Sequence, residues 1–209
     1  AVDENEKNRE FREFAMTTIT NMLNCSRKHY RQNLVKARKG VVERLMSDQE
    51  WSKIQYSGVP SRAMKNYRKA FAKHDEVRFA EFTDKAINGE VKINAGVLNP
   101  VELYKKLSTY DNTIEAQWRQ LPNYVDENIN ALVMADVSGS MTGTPMDVCI
   151  SLAIYFAERN KGMFHNHFLT FSTEPSLQTL VGGTLKKKAQ NLNNAHWDMS
   201  TNIDGAFEF

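Results

Sequence analysis

Apolar residues recur at helical spacing through most of the first 120 positions. Phe11, Phe14, Ala15, Thr18 and Met22 share one side of a helix predicted over 6–24. Leu34, Ala37, Val41, Val42 and Leu45 do the same over 29–46. Ser47-Asp48-Gln49-Glu50 has the form of a capping box and predicts a short helix through Trp51 and Ile54. Gly58-Val59-Pro60-Ser61 is a break. Two further helices are predicted beyond it, over 61–73 (Met64, Tyr67, Ala70, Phe71) and from Asp75 to Asn88 (Val77, Phe79, Phe82, Ile87), with Gly89 as the stop. Asn99-Pro100-Val101-Glu102 supplies an N-cap, a proline for the first helical position and a glutamate after it, opening a helix to Tyr110. A shorter helix covers 113–120, and no internal repeat is visible.

Pro122-Asn123 and the acidic Asp126-Glu127 mark a boundary, after which the pattern changes. The expectation is an all-α region over 1–125 and an α/β domain over 129–209. Asn130–Ala135 reads as a buried strand, and Thr144-Pro145 opens a largely apolar helix through Asn160. His165–Phe171 and Ser176–Val181 read as two more strands. Gly182-Gly183 leads into a polar helix over Leu185–Asn194, and another helix begins at Ile203. A crossover of this length between the first two strands fits a right-handed parallel unit. The first strand then has an open edge, which proteins normally cover. Further residues, the helical region or a second copy of the chain is expected to do so, which makes self-association through that edge one candidate contact.

The candidate chemistry sits where the first strand stops. Asp136-Val137-Ser138-Gly139-Ser140 puts one carboxylate and two hydroxyls on a tight loop, all of them hard oxygen ligands suited to Mg²⁺ or Mn²⁺. In an open α/β sheet the carboxyl end of a strand is also where ligands bind.

With the apolar strand before it and Ser200-Thr201-Asn202-Ile203 some sixty residues later, this motif resembles a von Willebrand factor A-type domain, which has a Rossmann-like sheet and a metal-ion-dependent adhesion site. The resemblance covers 129–209, the first part of such a domain. It implies that Ser138 and Ser140 coordinate the metal through their hydroxyls, that Asp136 acts directly or through water, and that Thr201 is the second-loop ligand. It also implies a partner that offers an acidic residue, with no catalytic turnover. The family's third-loop Asp has no counterpart here, and Asp204 lies too close to the threonine loop to be it. The whole chain resembles two arrangements in which a helical region leads into such a motif. One is the Ro ribonucleoprotein group, which binds RNA. The other is a family of unknown function, which Trp51-x-x-Ile54-x-Tyr56, Val59-Pro60-Ser61 and the segment Phe71–Phe79 fit better.

Charge adds a second reading. The 209 residues carry a net +2, but residues 1–110 hold 21 Lys+Arg against 14 Asp+Glu and the remainder 6 against 11. No acid stands between Glu13 and Glu43, where Arg27, Lys28, Arg31, Lys36, Arg38 and Lys39 cluster with His29 and Tyr30 among them. Such a set contacts nucleic-acid phosphates or is simply a solvated helix face. Arg62, Lys65, Arg68, Lys69 and Lys73 form a second basic set, and Lys186-Lys187-Lys188 reads as an exposed helix start. His165 and His167 would share a strand face, where packing competes with a metal pair; His196 stands near the threonine loop.

Other classes fall away. Ser138 lacks the Gly-x-Ser-x-Gly elbow of a serine hydrolase, and a phosphoaspartyl site would want a second acid where Ser138 stands. Gly182-Gly183-Thr184-Leu185-Lys186 fails the P-loop spacing. No apolar run approaches the ~20 residues of a membrane span. Cys25 and Cys149 match no metal or disulfide spacing, so a reducing, cytoplasmic setting is expected. The chain starts without Met and stops inside a helical pattern, as a piece of a longer protein would.

Overall fold

A computed structural model describes residues 4–37, 41–126, 131–136, 138–170, 174–194 and 202–208. The chain divides into two compact units, Ala1–Ile54 and Gln55–Phe209.

The first unit holds α1 (Glu4–Met22), α2 (Arg27–Ala37), α3 (Val42–Ser47) and a 3₁₀ turn at Trp51–Lys53. The helix expected over 29–46 is therefore two helices, with Val41 in extended conformation before α3. The capping-box expectation is corrected as well. Gln49 takes a left-handed φ of 59°. Its N–H returns to Met46 O and that of Glu50 to Leu45 O. That is the hydrogen-bond pattern of a helix end, so Ser47–Glu50 closes α3 where it was expected to open the next helix.

The second unit contains α4 (Ser61–His74), α5 (Glu76–Ile87), α6 (Pro100–Tyr104), α7 (Asn112–Arg119), β1 (Val133–Ala135), α8 (Thr144–Arg159), β2 (His167–Thr170), β3 (Leu177–Thr179), α9 (Leu185–Asn193) and α10 (Ile203–Glu208). Local chemistry sets the boundaries. Gly89, at φ 76°, ends α5: its N–H bonds Ala86 O, and Glu90 N–H bonds Lys85 O. Asp111 caps α7 through Ile114 N–H, and Thr184 caps α9 through Lys187 N–H. The helix expected from Asn99 to Tyr110 stops at Tyr104 and gives way to a 3₁₀ turn at Leu107–Thr109. Arg68 holds that turn, bonding both Thr109 O and Thr109 Oγ1.

The result is a helix-rich α/β fold with a small mixed sheet in the order β1-β2-β3. β1 runs parallel to β2, with Val133 opposite Phe168 and Ala135 opposite Thr170; β3 is antiparallel to β2. Helix α8 is the crossover between the parallel pair. Its buried Ile150, Ile154 and Tyr155 pack into the same cluster as Ala135 and Phe168.

That cluster also contains Leu103, Ile114, Trp118 and Leu121, which precede residue 126, and Leu185 and Leu192, which follow the sheet. Packing therefore runs across the boundary expected at 125–129. A partly buried ion network joins the same parts. Glu158 accepts from Trp118 Nε1 at 2.8 Å and from Lys188 Nζ at 2.6 Å. Arg159 donates to Trp118 O and stacks over the Tyr155 ring at 4.2 Å. Glu115, 4% exposed, accepts from Tyr110, Arg119 and Leu185 N–H. With Glu115 as its acceptor, Tyr110 is held above the usual phenol range, first by burial and then by that carboxylate.

Candidate metal centre

β1 is a short parallel strand whose three residues each face a β2 partner. Its last residue, Ala135, is fully buried. The chain emerges from the sheet at Asp136, and residue 137 lies outside the described ones. Ser138 O then accepts from Met141 N–H, and Gly139 O accepts from Thr142 Oγ1 at 2.7 Å, winding Gly139–Met141 into a 3₁₀ turn. Gly143 leaves that turn at φ 91°, a conformation that side-chain-bearing residues rarely adopt, and α8 starts at Thr144 with Pro145 in its first turn.

This path brings three of the expected residues together. Asp136 Oδ1 accepts from Ser138 N–H at 2.9 Å, which fixes the carboxylate over the loop backbone. Ser138 Oγ and Ser140 Oγ lie 3.0 Å apart. Ser138 is 5% exposed and Ser140 is open to solvent. No cation pairs with Asp136 among the described residues. On the inner side stands Cys149 of α8. Burial pushes its thiol up; the Asp136 backbone works against that shift and the Asp136 carboxylate adds to it. On the outer side Lys105, just after α6, reaches the start of α8, 3.3 Å from Thr144 Oγ1 and 3.7 Å from Asp147 Oδ2.

Thr201, the expected fourth ligand, lies outside the described residues, as does His196. Asn202, the next residue, caps α10 by accepting from Gly205 N–H at 2.9 Å. A Cβ at Gly205 would stand 2.6 Å from the Asn202 amide nitrogen and would push the capping side chain aside. Among the described residues no group of three His, Cys, Asp or Glu could hold a metal. The cluster at Asp136 has one carboxylate and two hydroxyls and is of a different kind.

The remaining candidates separate. Lys65 and Arg68 of the second basic set are 8% and 5% exposed. Lys65 is paired with Glu102, and Arg68 with Asp111 at 2.6 Å. They are internal struts, which corrects their reading as part of a phosphate-facing surface. His165 lies in the turn before β2, so it shares no strand face with His167; its Nδ1 bonds Asn160 O at 2.7 Å. In the first basic set, Arg27, Lys28, Arg31 and Lys36 lie on α2, while Arg38 and Lys39 fall outside the described residues. Cys149, beside Asp136, and Lys105, at the start of α8, escaped the sequence reading because each arrives only through tertiary packing.

Comparison with known proteins gives a family. The model of a domain of unknown function, DUF2828, matches residues 3–133. The chain belongs to the DUF2828 family. A second model of unknown function, DUF7788, matches residues 130–209 and so includes the whole Asp136–Ser140 loop. The uncharacterized protein L728 of Acanthamoeba polyphaga mimivirus is 30% identical over 212 residues, covering 91% of this chain. The chain spans 37% of that relative's length. No solved structure matches the chain. The A-type and Ro-type resemblances therefore rest on the motif residues alone. No helix among the described residues is long and apolar enough to cross a membrane.

Proposed function

We propose that Asp136, Ser138 and Ser140 hold Mg²⁺ or Mn²⁺ and that this DUF2828 protein uses the site to bind an acidic group on a protein partner. The observation that carries the reading is the 3.0 Å between the two serine hydroxyl oxygens. Adjacent corners of an octahedron with metal–oxygen distances of ~2.0–2.1 Å lie about 2.8–3.0 Å apart. Seven-coordinate Ca²⁺ has similar spacings in its crowded equatorial plane, so the choice of Mg²⁺ or Mn²⁺ rests on the few protein oxygens gathered here. The hydroxyl pair is thus already spaced for two neighbouring corners of one coordination shell, and its shared hydrogen bond keeps it so.

The roles follow from position. Ser138, buried and bonded through its backbone to Asp136, is the fixed ligand. Ser140, exposed, stands on the side from which a partner approaches. Asp136 supplies the one negative charge of the described set. Thr201 is the further ligand that the A-type resemblance assigns. When bound, the ion supplies an open coordination position and a largely uncancelled charge for an incoming carboxylate. The role is binding without turnover, and two free cysteines, Cys25 and Cys149, accord with a reducing, cytoplasmic setting.

Isothermal titration calorimetry with MgCl₂ tests the site. The native chain is expected to bind one ion. Ser140→Ala should weaken binding at least ~10-fold, and Asp136→Ala should abolish it, since Mg²⁺ tolerates few departures from octahedral oxygen coordination. Native-like Mg²⁺ affinity in Asp136→Ala would end the proposal.

A further inference from the structure

The basic residues of α2 are sorted by the helix itself. At 3.6 residues per turn, Arg27, Arg31, Val35 and Lys28 fall within an arc of about 100°, and Lys36 lies about 80° beyond Lys28. His29, Tyr30, Asn33, Leu34 and Ala37 fill the other side. That second side lines a cleft of about 630 Å³ together with Leu23, Asn24 and Cys25 at the end of α1. On that side Tyr30 and Leu34 are half-buried, and the cations stand in solvent. Lys28, Arg31 and Lys36 are exposed, and no carboxylate pairs with them among the described residues. Arg27 is tied down, 2.7 Å from Glu13 and 3.0 Å from Thr17 Oγ1.

We propose that the Lys28–Arg31–Lys36 face of α2 binds the phosphate backbone of a nucleic acid without reading its sequence. Charge complementarity selects the occupant. From Arg27 to Lys36 the helix rises about 13 Å, over which one nucleic-acid strand carries about four phosphates. α2 itself carries no acid; of the acids near it, Glu13 is engaged by Arg27, and Glu43 of α3 lines a pocket with Val35 beside Arg44. Tyr30 is half-buried in the cleft and stands apart from the cations. An anionic membrane is disfavoured. Val35 is the one large apolar residue on the basic arc, too little apolar surface to enter a bilayer. Backbone contacts of this kind position a protein on nucleic acid and carry no base specificity. The site is independent of the Asp136 loop, so either can fail without the other.

The test is fluorescence anisotropy of a labelled oligouridylate of about 20 nucleotides, titrated with the full chain at about 50 mM salt and repeated at rising salt and with EDTA. Three phosphate contacts to a single strand predict a slope near −2 in log affinity against log salt. Affinity should be unchanged by EDTA and equal within about threefold for a mixed-sequence oligomer. Lys28→Glu, Arg31→Glu and Lys36→Glu together should lose at least tenfold, with circular dichroism checking that the helices remain. The Gln versions should fall between, and Lys186→Glu with Lys187→Glu should bind as the native chain does. Several results would overturn the proposal: no binding at low salt, full binding by the triple charge reversal, loss of binding with EDTA, a strong sequence preference, or binding to phosphatidylserine vesicles at least as tight as to the oligomer.

Discussion

The two compact units are built from similar helices and differ in what those helices cover. Among the described residues of Ala1–Ile54, Thr20 and Ile54 are the buried ones. On α1, Phe11 and Phe14 are each 70% exposed and Met22 is 80% exposed. In Gln55–Phe209 the same kind of apolar stripe is closed over. Phe71 of α4 is fully buried and ringed by Tyr56 and Phe79 at centroid distances of 5.4 Å. Tyr56 also gives its hydroxyl proton to Asp75 at 2.6 Å. Cations divide the same way: Arg31 of α2 stands in solvent while Arg68 of α4 is inside. Periodicity shows that a helix will form, and only its neighbours decide whether its face becomes a core or a surface.

Substitutions that break one unit and spare the other test this contrast. Trp118→Ala should have the largest effect, about 3–5 kcal/mol of unfolding free energy, because it opens a cavity beside Ile114 and Tyr155 and removes a donor to Glu158. Phe14→Ala should change stability by less than ~0.5 kcal/mol, as an exposed site does. Urea denaturation of the two variants against the native chain measures both. Equal losses would mean that α1 is covered.

Next comes Lys65→Met, expected to cost about 1–3 kcal/mol by stranding Glu102 in a partly buried site. Burial alone would raise the Glu102 carboxyl, but its hydrogen bond and charge contact with Lys65 win and hold it below the usual range. A carboxylate with a lowered folded pKa adds stability that is complete above its unfolded value, ~4.3. That stability fades as acid protonates the folded pair. The urea midpoint of the native chain should therefore drop below pH ~4 more steeply than that of Lys65→Met. Gly143→Ala should cost about 1–2 kcal/mol through its positive φ. It should also weaken Mg²⁺ binding, since Gly143 joins the Asp136–Ser140 loop to α8; calorimetry reads the second effect. Smallest of all, Lys186→Ala and Lys187→Ala, both exposed at the start of α9, should leave the urea midpoint within error.

Most elements after residue 58 were legible because strong punctuation frames them. Gly89, Asn99-Pro100, Thr144-Pro145 and Gly182-Gly183 each stop or start a helix where the periodicity changes. The misreadings share one cause. Ser47–Glu50 has the composition of a helix start, but Gln49 adopts the left-handed conformation that ends α3. Lys65 and Arg68 have the spacing of a surface set, and their acids, Glu102 and Asp111, are 37 and 43 residues away. In the candidate centre, Asp136, Ser138 and Ser140 were legible because they are neighbours on one turn. Cys149 reaches that turn from α8 and Lys105 reaches only the start of α8, and nothing local marks either.

The core cluster that spans residue 130 has a consequence for the two parts taken separately. The two family models meet at 130–133, so each describes a polypeptide that would expose half of an interior if it travelled alone. Recombination that parted them would leave Trp118 and Ile154 facing water on separate products. Expressed apart, the two parts should each expose that surface, and co-expression of the halves tests whether they reassemble.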